Sequence, residues 1–241
     1  MTDFSDVRAL SFDCYGTLID WETGIESALR PWLARNGGGT VGANELVSVF
    51  GSHETIVEGE HPDWLYPEIL AETLRRIGGD LGVPVSELEA AAFGRSVGTW
   101  PAFADSPAAL LALQQRFRLV ILSNVDQVSF RQSNDRLGVE FDLIITAQDV
   151  GSYKPARENF EALEAGLATI GVEPRQLIHV AESLYHDHLP GKDFGLKTAW
   201  IHRRHGKKGF GATVVPERTV TPDFRFTSME EFAEAATKGM S

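Results

Sequence analysis

The chain has 241 residues, 43 % of them hydrophobic and 23 % charged, enough for one large folded unit or for one that carries a smaller insert. Its 34 acidic residues outnumber 22 basic ones, for a formal net charge of -12. That balance weighs against nucleic acid or an anionic membrane as the main partner, since both reward clustered Lys and Arg, but it admits an anionic small molecule held by a local field.

Cys14 is the single cysteine, so no internal disulfide is expected. Met1 to Asp6 show no basic run followed by an apolar one, and no stretch reaches about 18 uninterrupted apolar residues. Neither a signal peptide nor a membrane span is therefore expected, and the cytoplasm is the default location.

In chain order, the first buried strand is expected at Ala9–Phe12. Residues 20–99 then lack any convincing strand. Helical patterns fill them at Gly24–Arg35, Asn44–Phe50, Trp64–Ile77 and Ser86–Val97, broken at Gly37-Gly38-Gly39 and Gly78-Gly79. From Trp100 a strand–helix rhythm resumes. Strands are expected at Leu119–Leu122, Leu143–Thr146, Leu177–Val180 and Thr198–Ile201, and helices at Pro107–Gln115, Val128–Leu137, Arg157–Ile170 and His188–Phe194. Pro155 falls near the start of the third of these helices, where its missing N–H costs little. Alternation of this kind predicts an α/β fold: a doubly wound, Rossmann-like parallel sheet over residues 1–19 and 100–241, with residues 20–99 as an inserted helical cap. The run Arg203-Arg204-His205-Gly206-Lys207-Lys208 reads as a solvated surface loop, or else as a contact for an anionic substrate or a second subunit.

Ligands of doubly wound sheets sit beyond the carboxyl ends of the strands, so the residues at those ends carry the functional reading. The first strand ends in Asp13, then Cys14-Tyr15-Gly16-Thr17. The second ends in Ser123 and Asn124, and Lys154 follows the third across a loop. The fourth leads to Glu182 and Asp187. Taken singly, an Asp before Gly-Thr is often a turn residue, and Ser-Asn after a strand is often a cap. Their occurrence at four successive strand ends argues for one site. There Asp13 is the candidate nucleophile and Lys154 the counter-charge that keeps it ionised. Asp187 would hold Lys154 or orient a water, Glu182 would do the same or bind a metal, and Thr17, Ser123 and Asn124 would donate to substrate oxygens. Strand alternation turns Cys14 away from Asp13, and His179, His186 and His188 lack the partners of a structural zinc site.

These residues resemble the haloacid dehalogenase-like hydrolases. The likeness rests on Asp13-Cys14-Tyr15-Gly16-Thr17-Leu18, Ile121-Leu122-Ser123-Asn124, Tyr153-Lys154-Pro155 and the segment from Val180 to Asp187. Within that superfamily the chain resembles the (S)-2-haloacid dehalogenase branch. Tyr15 stands where the phosphatases carry a second Asp, and a halide needs no protonation to leave. The resemblance implies attack of Asp13 on the α-carbon of a small carboxylate, an ester intermediate, and hydrolysis to a 2-hydroxy acid. Lys154 and Asp187 would flank the nucleophile and Tyr15, Thr17, Ser123, Asn124 and Glu182 would lie around the substrate, with no cofactor.

Three positions depart from that branch. The region expected to supply a halide-holding Arg, Glu54–Tyr66, contains none and places Glu60 near that position. Phe160 replaces a Tyr, and Leu184 replaces an Asn. Two alternatives follow. Glu182 with Asp13 and Asp187 resembles the Mg²⁺-binding acids of the superfamily's phosphatases. The runs from Asp13 to Glu22, Glu182 to His188 and Trp200 to Gly206 resemble the azetidine-2-carboxylate hydrolases, which open a strained C–N ring by the same attack, and an acidic cap residue such as Glu60 would suit an ammonium. Trp21, Trp64 and Tyr66 are candidates to line an apolar pocket, and a homodimer is possible.

Overall fold

The computed structural model describes residues 4–37, 41–207, 209 and 211–238. Met1 to Asp3, Gly38 and Gly39 of the expected break, and Lys208 of the basic run lie outside them. The chain opens with β1 (Ala9–Phe12), which is wholly buried. Four helices follow it: α1 (Trp21–Arg35), α2 (Ala43–Glu60), α3 (Tyr66–Leu81) and α4 (Glu87–Gly94). Then come α5 (Ser106–Gln114), β2 (Arg118–Ser123), α6 (Gln127–Leu137), β3 (Leu143–Thr146), the single turn α7 (Ala147–Val150), α8 (Arg157–Thr169) and β4 (Leu177–Ala181). A π turn at Leu184–His188 leads into α9 (Leu189–Asp193), followed by β5 (Lys197–Ile201), β6 (Phe224–Phe226) and α10 (Met229–Thr237).

The six strands are all parallel and lie in the order β3-β2-β1-β4-β5-β6. The chain winds outward from β1 in one direction and then returns to continue on its other side. The expected sheet is therefore present, and its switch point lies between β1 and β4. Side chains alternate across it: Leu10, Phe12, Ile121 and Val180 join the larger apolar cluster on one face, and Ala9, Val120, Leu122 and Leu177 the smaller one on the other. No helix among the described residues is long and apolar enough to cross a membrane.

Local chemistry accounts for the helix ends. The Asp20 carboxylate caps α1 by accepting from the Thr23 backbone N–H at 3.2 Å. Ser86 and Glu89 form a capping box at α4, and Gly138 closes α6 at φ +66°. The structure also departs from the sequence reading in several elements. β6 and α10 were not anticipated, because three residues carry little periodic signal and α10 takes its place by packing on α5. Gly78 and Gly79 do not break α3. A Cβ on Gly78 would stand 2.7 Å from the Val83 carbonyl oxygen, so the glycine admits a close backbone approach, and the helix ends later at Gly82, φ +63°.

The largest departure is α2, which continues ten residues past its expected end at Phe50. Gly51 looks like a stop but sits inside the helix because the backbone of Ala212 lies against it; a Cβ there would stand 1.9 Å from the Ala212 carbonyl oxygen. Gly51→Ala is expected to destabilise the protein by about 1–3 kcal/mol through this overpacking, read as a lower urea midpoint. An unchanged midpoint would show that the loop around Ala212 does not press on the helix. With α2 extended, Leu46, Val47, Phe50, Gly51, Glu54, Val57 and Glu58 form one buried face.

Candidate active site

Asp13 is the first residue past β1, its N–H still donating to the Val180 carbonyl at 3.0 Å. Gly16 then adopts φ +91°, and the Leu18 and Ile19 N–H groups both return to the Cys14 carbonyl, folding the chain back over the strand end. This tight loop brings Thr17 beside Asp13. The Asp13 carboxylate, 6 % exposed, accepts from Lys154 Nζ at 3.0 Å on Oδ1 and from Thr17 Oγ1 at 2.7 Å on Oδ2. Burial pushes its carboxyl above the ordinary range, against the opposing pull of the Lys154 ammonium.

Lys154 uses its three donors fully, on Asp13, on the Leu122 carbonyl at 2.9 Å and on Asp187 Oδ1 at 2.6 Å. Burial disfavours its charge, but the two carboxylates more than compensate and raise its pKa. Asp187 is buried too, and burial alone would raise it; the Lys154 charge and the His179 hydrogen bond instead hold it well below the usual carboxylate range. An ionised carboxylate only accepts, so His179 Nε2 donates to Asp187 Oδ1 at 2.9 Å and Nδ1 accepts from the Ser11 hydroxyl at 2.8 Å. Sequence reasoning missed this support. Its signal was available, since Ser11 and His179 are the polar residues inside the otherwise apolar β1 and β4 and sit opposite each other in their register.

The remaining sequence candidates have different placements. Tyr15 lines the cavity, but its hydroxyl pairs with Ser133 Oγ at 2.9 Å, and burial first of all pushes its pKa well up, so the phenol stays neutral. Thr17 spans Asp13 and the backbone N–H of Glu182, from which its Oγ1 accepts at 2.9 Å. Asn124 accepts from the Lys154 N–H at 2.7 Å and donates to the Lys154 carbonyl at 3.0 Å, so its amide first serves to place Lys154. Ser123 is buried at the end of β2 with no partner for its hydroxyl. Cys14 joins the apolar cluster, and burial raises its thiol pKa well above the ordinary value.

Glu182 does not join the others. Its carboxyl accepts from the Thr213 hydroxyl at 2.9 Å and borders separate clefts with Arg204; burial pushes its pKa up to about 8. With Glu182 turned away and Asp187 committed to Lys154 and His179, the three carboxylates named for Mg²⁺ do not converge. Among the described residues no group of three or more His, Cys, Asp or Glu side chains is placed to hold a metal ion.

A small cavity of about 30 Å³ lies between Asp13 and the inserted helices. Its lining includes Asp13, Lys154 and Asp187 from the sheet side, Trp21 and Tyr66 as expected, and His186, Glu54 and Glu58. Trp64 is not part of it; its ring stacks on His61, and its carbonyl accepts from Tyr153. Glu60 requires correction: it is exposed on the far side of the helix and pairs with Arg76 at 2.6 Å, while Glu54 and Glu58, both buried, face the site. The register of the α2 apolar face could have found them, since 54 and 58 continue the spacing of 46, 47, 50 and 51. Phe160 packs edge-on against the His179 ring, and Leu184 borders a separate apolar cleft. The basic run also needs revision. Arg203 bonds Asp105 twice and Arg204 is 7 % exposed beside Glu22, so only His205 and Lys207 are solvated among its described basic residues.

Attack by Asp13 would require its ionised form, and burial makes that form harder to reach. The kcat/KM profile is therefore expected to hold above the folded-state pKa of Asp13 and to fall in acid through a limb above the ordinary carboxylate value of about 4. A limb at or below that value, in a titration from pH 3 to 8, would contradict the buried placement.

The fold and the cluster at its switch point define an α/β enzyme core, and comparison with known proteins gives the class: a family model for haloacid dehalogenase-like hydrolases matches residues 7–195. The chain belongs to that family of hydrolases. No curated protein matches it. Among solved structures it is similar to the L-2-haloacid dehalogenase from Xanthobacter autotrophicus with chloropropionic acid covalently bound: 18 % identity, 98 % of this chain and 100 % of that one covered, TM-score 0.77. It is also similar to the L-2-haloacid dehalogenase PA0810 (22 % identity, 95 % and 98 % covered, TM-score 0.75). A third is the HAD-hydrolase YfnB from Bacillus subtilis bound to magnesium (17 % identity, 95 % and 98 % covered, TM-score 0.76). At these identities the likenesses establish a shared fold.

Proposed function

We propose that the chain displaces a leaving group from the α-carbon of a small carboxylate, with Asp13 as nucleophile, in the manner of hydrolytic dehalogenation of a 2-haloacid to a 2-hydroxy acid. The observation that carries this reading is the Asp13 carboxylate, held between Lys154 and Thr17 at the edge of a cavity beneath the inserted helices. Tyr15, two positions on, is bonded away to Ser133 and offers no acid for an alkoxide leaving group. An Asp13 oxygen attacks carbon as the bond to the leaving group breaks, and that group departs with the electron pair. Water then adds to the Asp13 carboxyl carbon, restoring the carboxylate and freeing the hydroxy acid. Asp187 Oδ2, buried and without a hydrogen-bond partner, would accept from that water and orient it.

A second reading is favoured by one observation: the cavity roof carries Glu54 and Glu58 where a departing halide would need a cation. An amine leaving group, as in the opening of azetidine-2-carboxylate, suits such a roof. Both readings share the Asp13 ester. Single-turnover reaction in H₂¹⁸O with excess enzyme, using (S)-2-chloropropionate and azetidine-2-carboxylate, is expected to place ¹⁸O in the Asp13 peptide and none in the first product. Label in the product alone would mean that water attacks the substrate directly and would overturn the proposal.

A further inference from the structure

The two glutamates above Asp13 are unexpected in a site that must admit an anion. Glu54 and Glu58 lie one turn apart on α2 and are 3 % and 5 % exposed. Glu54 Oε1 accepts a short hydrogen bond from the Tyr66 hydroxyl on α3. Both Glu58 oxygens face Asn124 Nδ2, at 3.4 and 3.3 Å. Facing them across the cavity are Asp13, Asp187 and Lys154, so four carboxyls share one ammonium. His186 also lines the cavity, 8 % exposed, with Nε2 lacking any hydrogen-bond partner. It is neutral near pH 7, because burial pulls its pKa down to about 4. Tyr66, Tyr153 and Tyr185 are the phenols near the pair, and burial first of all raises the pKa of each, so all three stay neutral.

Such a cavity does not hold four negative charges. Burial pushes Glu54 up to about 7, and it raises Glu58, with repulsion from Glu54 added, well above the usual range. The pair therefore carries a proton at neutral pH, directly over the nucleophile. A halide needs neither that proton nor a nearby carboxylate, and the unpaired charge would hinder its departure. A protonated nitrogen on the α-carbon uses both.

We propose that Glu54 and Glu58 act as one proton-carrying pair on the nitrogen leaving group of a small, strained cyclic amino acid. This rests on carbon attack by Asp13. The ionised member accepts a hydrogen bond from the substrate ammonium and aligns the C–N bond with Asp13. An Asp13 oxygen bonds to the α-carbon as the C–N electron pair goes to nitrogen, leaving a neutral amine. The protonated member gives its proton to that amine, and the pair becomes doubly charged. Hydrolysis of the Asp13 ester then releases one proton, which returns to the pair. The sum is one zwitterion and one water converted to one ring-opened hydroxy amino acid.

The test uses the full chain and four variants, with azetidine-2-carboxylate and (S)-2-chloropropionate as probes. Glu54→Gln and Glu58→Gln are each expected to lower kcat/KM for the ring amine by about 10²-fold or more, and the ratio of ring-amine to haloacid turnover by about 30-fold. Glu60→Gln, outside the cavity, should match the parent. Tyr66→Phe removes only a donor that steadies ionised Glu54. Its alkaline limb on the ring amine, where the shared proton is lost, should move to higher pH. Parent protein that labels Asp13 with the haloacid but never opens the ring overturns this inference and leaves carbon attack standing. Parent protein that labels Asp13 with neither probe overturns both. Equal losses on the two probes in the Gln variants, or an unmoved limb in Tyr66→Phe, would make the pair a packing feature and overturn the inference.

Discussion

Asp13→Asn is expected to abolish turnover, lowering kcat/KM by at least about 10⁴-fold on every substrate, while the protein stays folded. The argument is one of electron pairs and hydrogen bonds. An amide oxygen is a far weaker nucleophile toward saturated carbon than a carboxylate oxygen, and no neighbouring group can replace it. Cys14 faces the apolar cluster, Asp187 is held by Lys154 and His179, and Ser123 has no base. The cost to stability should be small. The Asn oxygen can still accept from Lys154, and the Thr17 hydroxyl can turn to accept from the amide. Steady-state kinetics beside a urea titration checks both halves. Activity above about 1 % of the parent would place the nucleophile elsewhere.

Lys154→Met is expected to damage the fold as well as the chemistry. The Lys154 ammonium, 1 % exposed, bonds Asp13, Asp187 and the Leu122 carbonyl. Methionine fills a similar volume but leaves two buried carboxylates facing each other without compensation. Breaking a buried pair in this way costs about 3–5 kcal/mol. The sign of its pH dependence follows. Asp187 titrates below its ordinary value in the parent, so its pairing stabilises the fold at neutral pH and is lost only in strong acid. Without Lys154 both carboxyls titrate upward. The variant should then be least stable at alkaline pH and should recover as the pH falls and the acids take up protons. Urea midpoints at pH 5 and pH 8 decide it, since equal deficits at the two values would show that the loss is steric.

The strands themselves and the identity of their tip residues were legible because each rests on a local property. Five apolar runs, each bounded by turn or polar residues, define five parallel strands, and in such a sheet the groups just past the strand ends must share an edge. Asp13, Lys154 and Asp187 met as expected for that reason. What local pattern did not reveal depends on packing between distant segments. Gly51 reads as a helix stop unless the Ala212 backbone beside it is known. β6 is three residues long and is defined by its pairing with β5.

The same division runs through the site. The sequence by itself determined that Asp13, Lys154 and Asp187 share one edge of the sheet, because those residues are tied to strand ends whose positions follow from hydrophobic patterning. Only the tertiary structure decided that Glu182 turns to Thr213, that His179 reaches Asp187, and that Glu54 and Glu58 rather than Glu60 face Asp13. Helix rotation and loop path set those choices, and both depend on burying one face of a helix against partners far away in the chain.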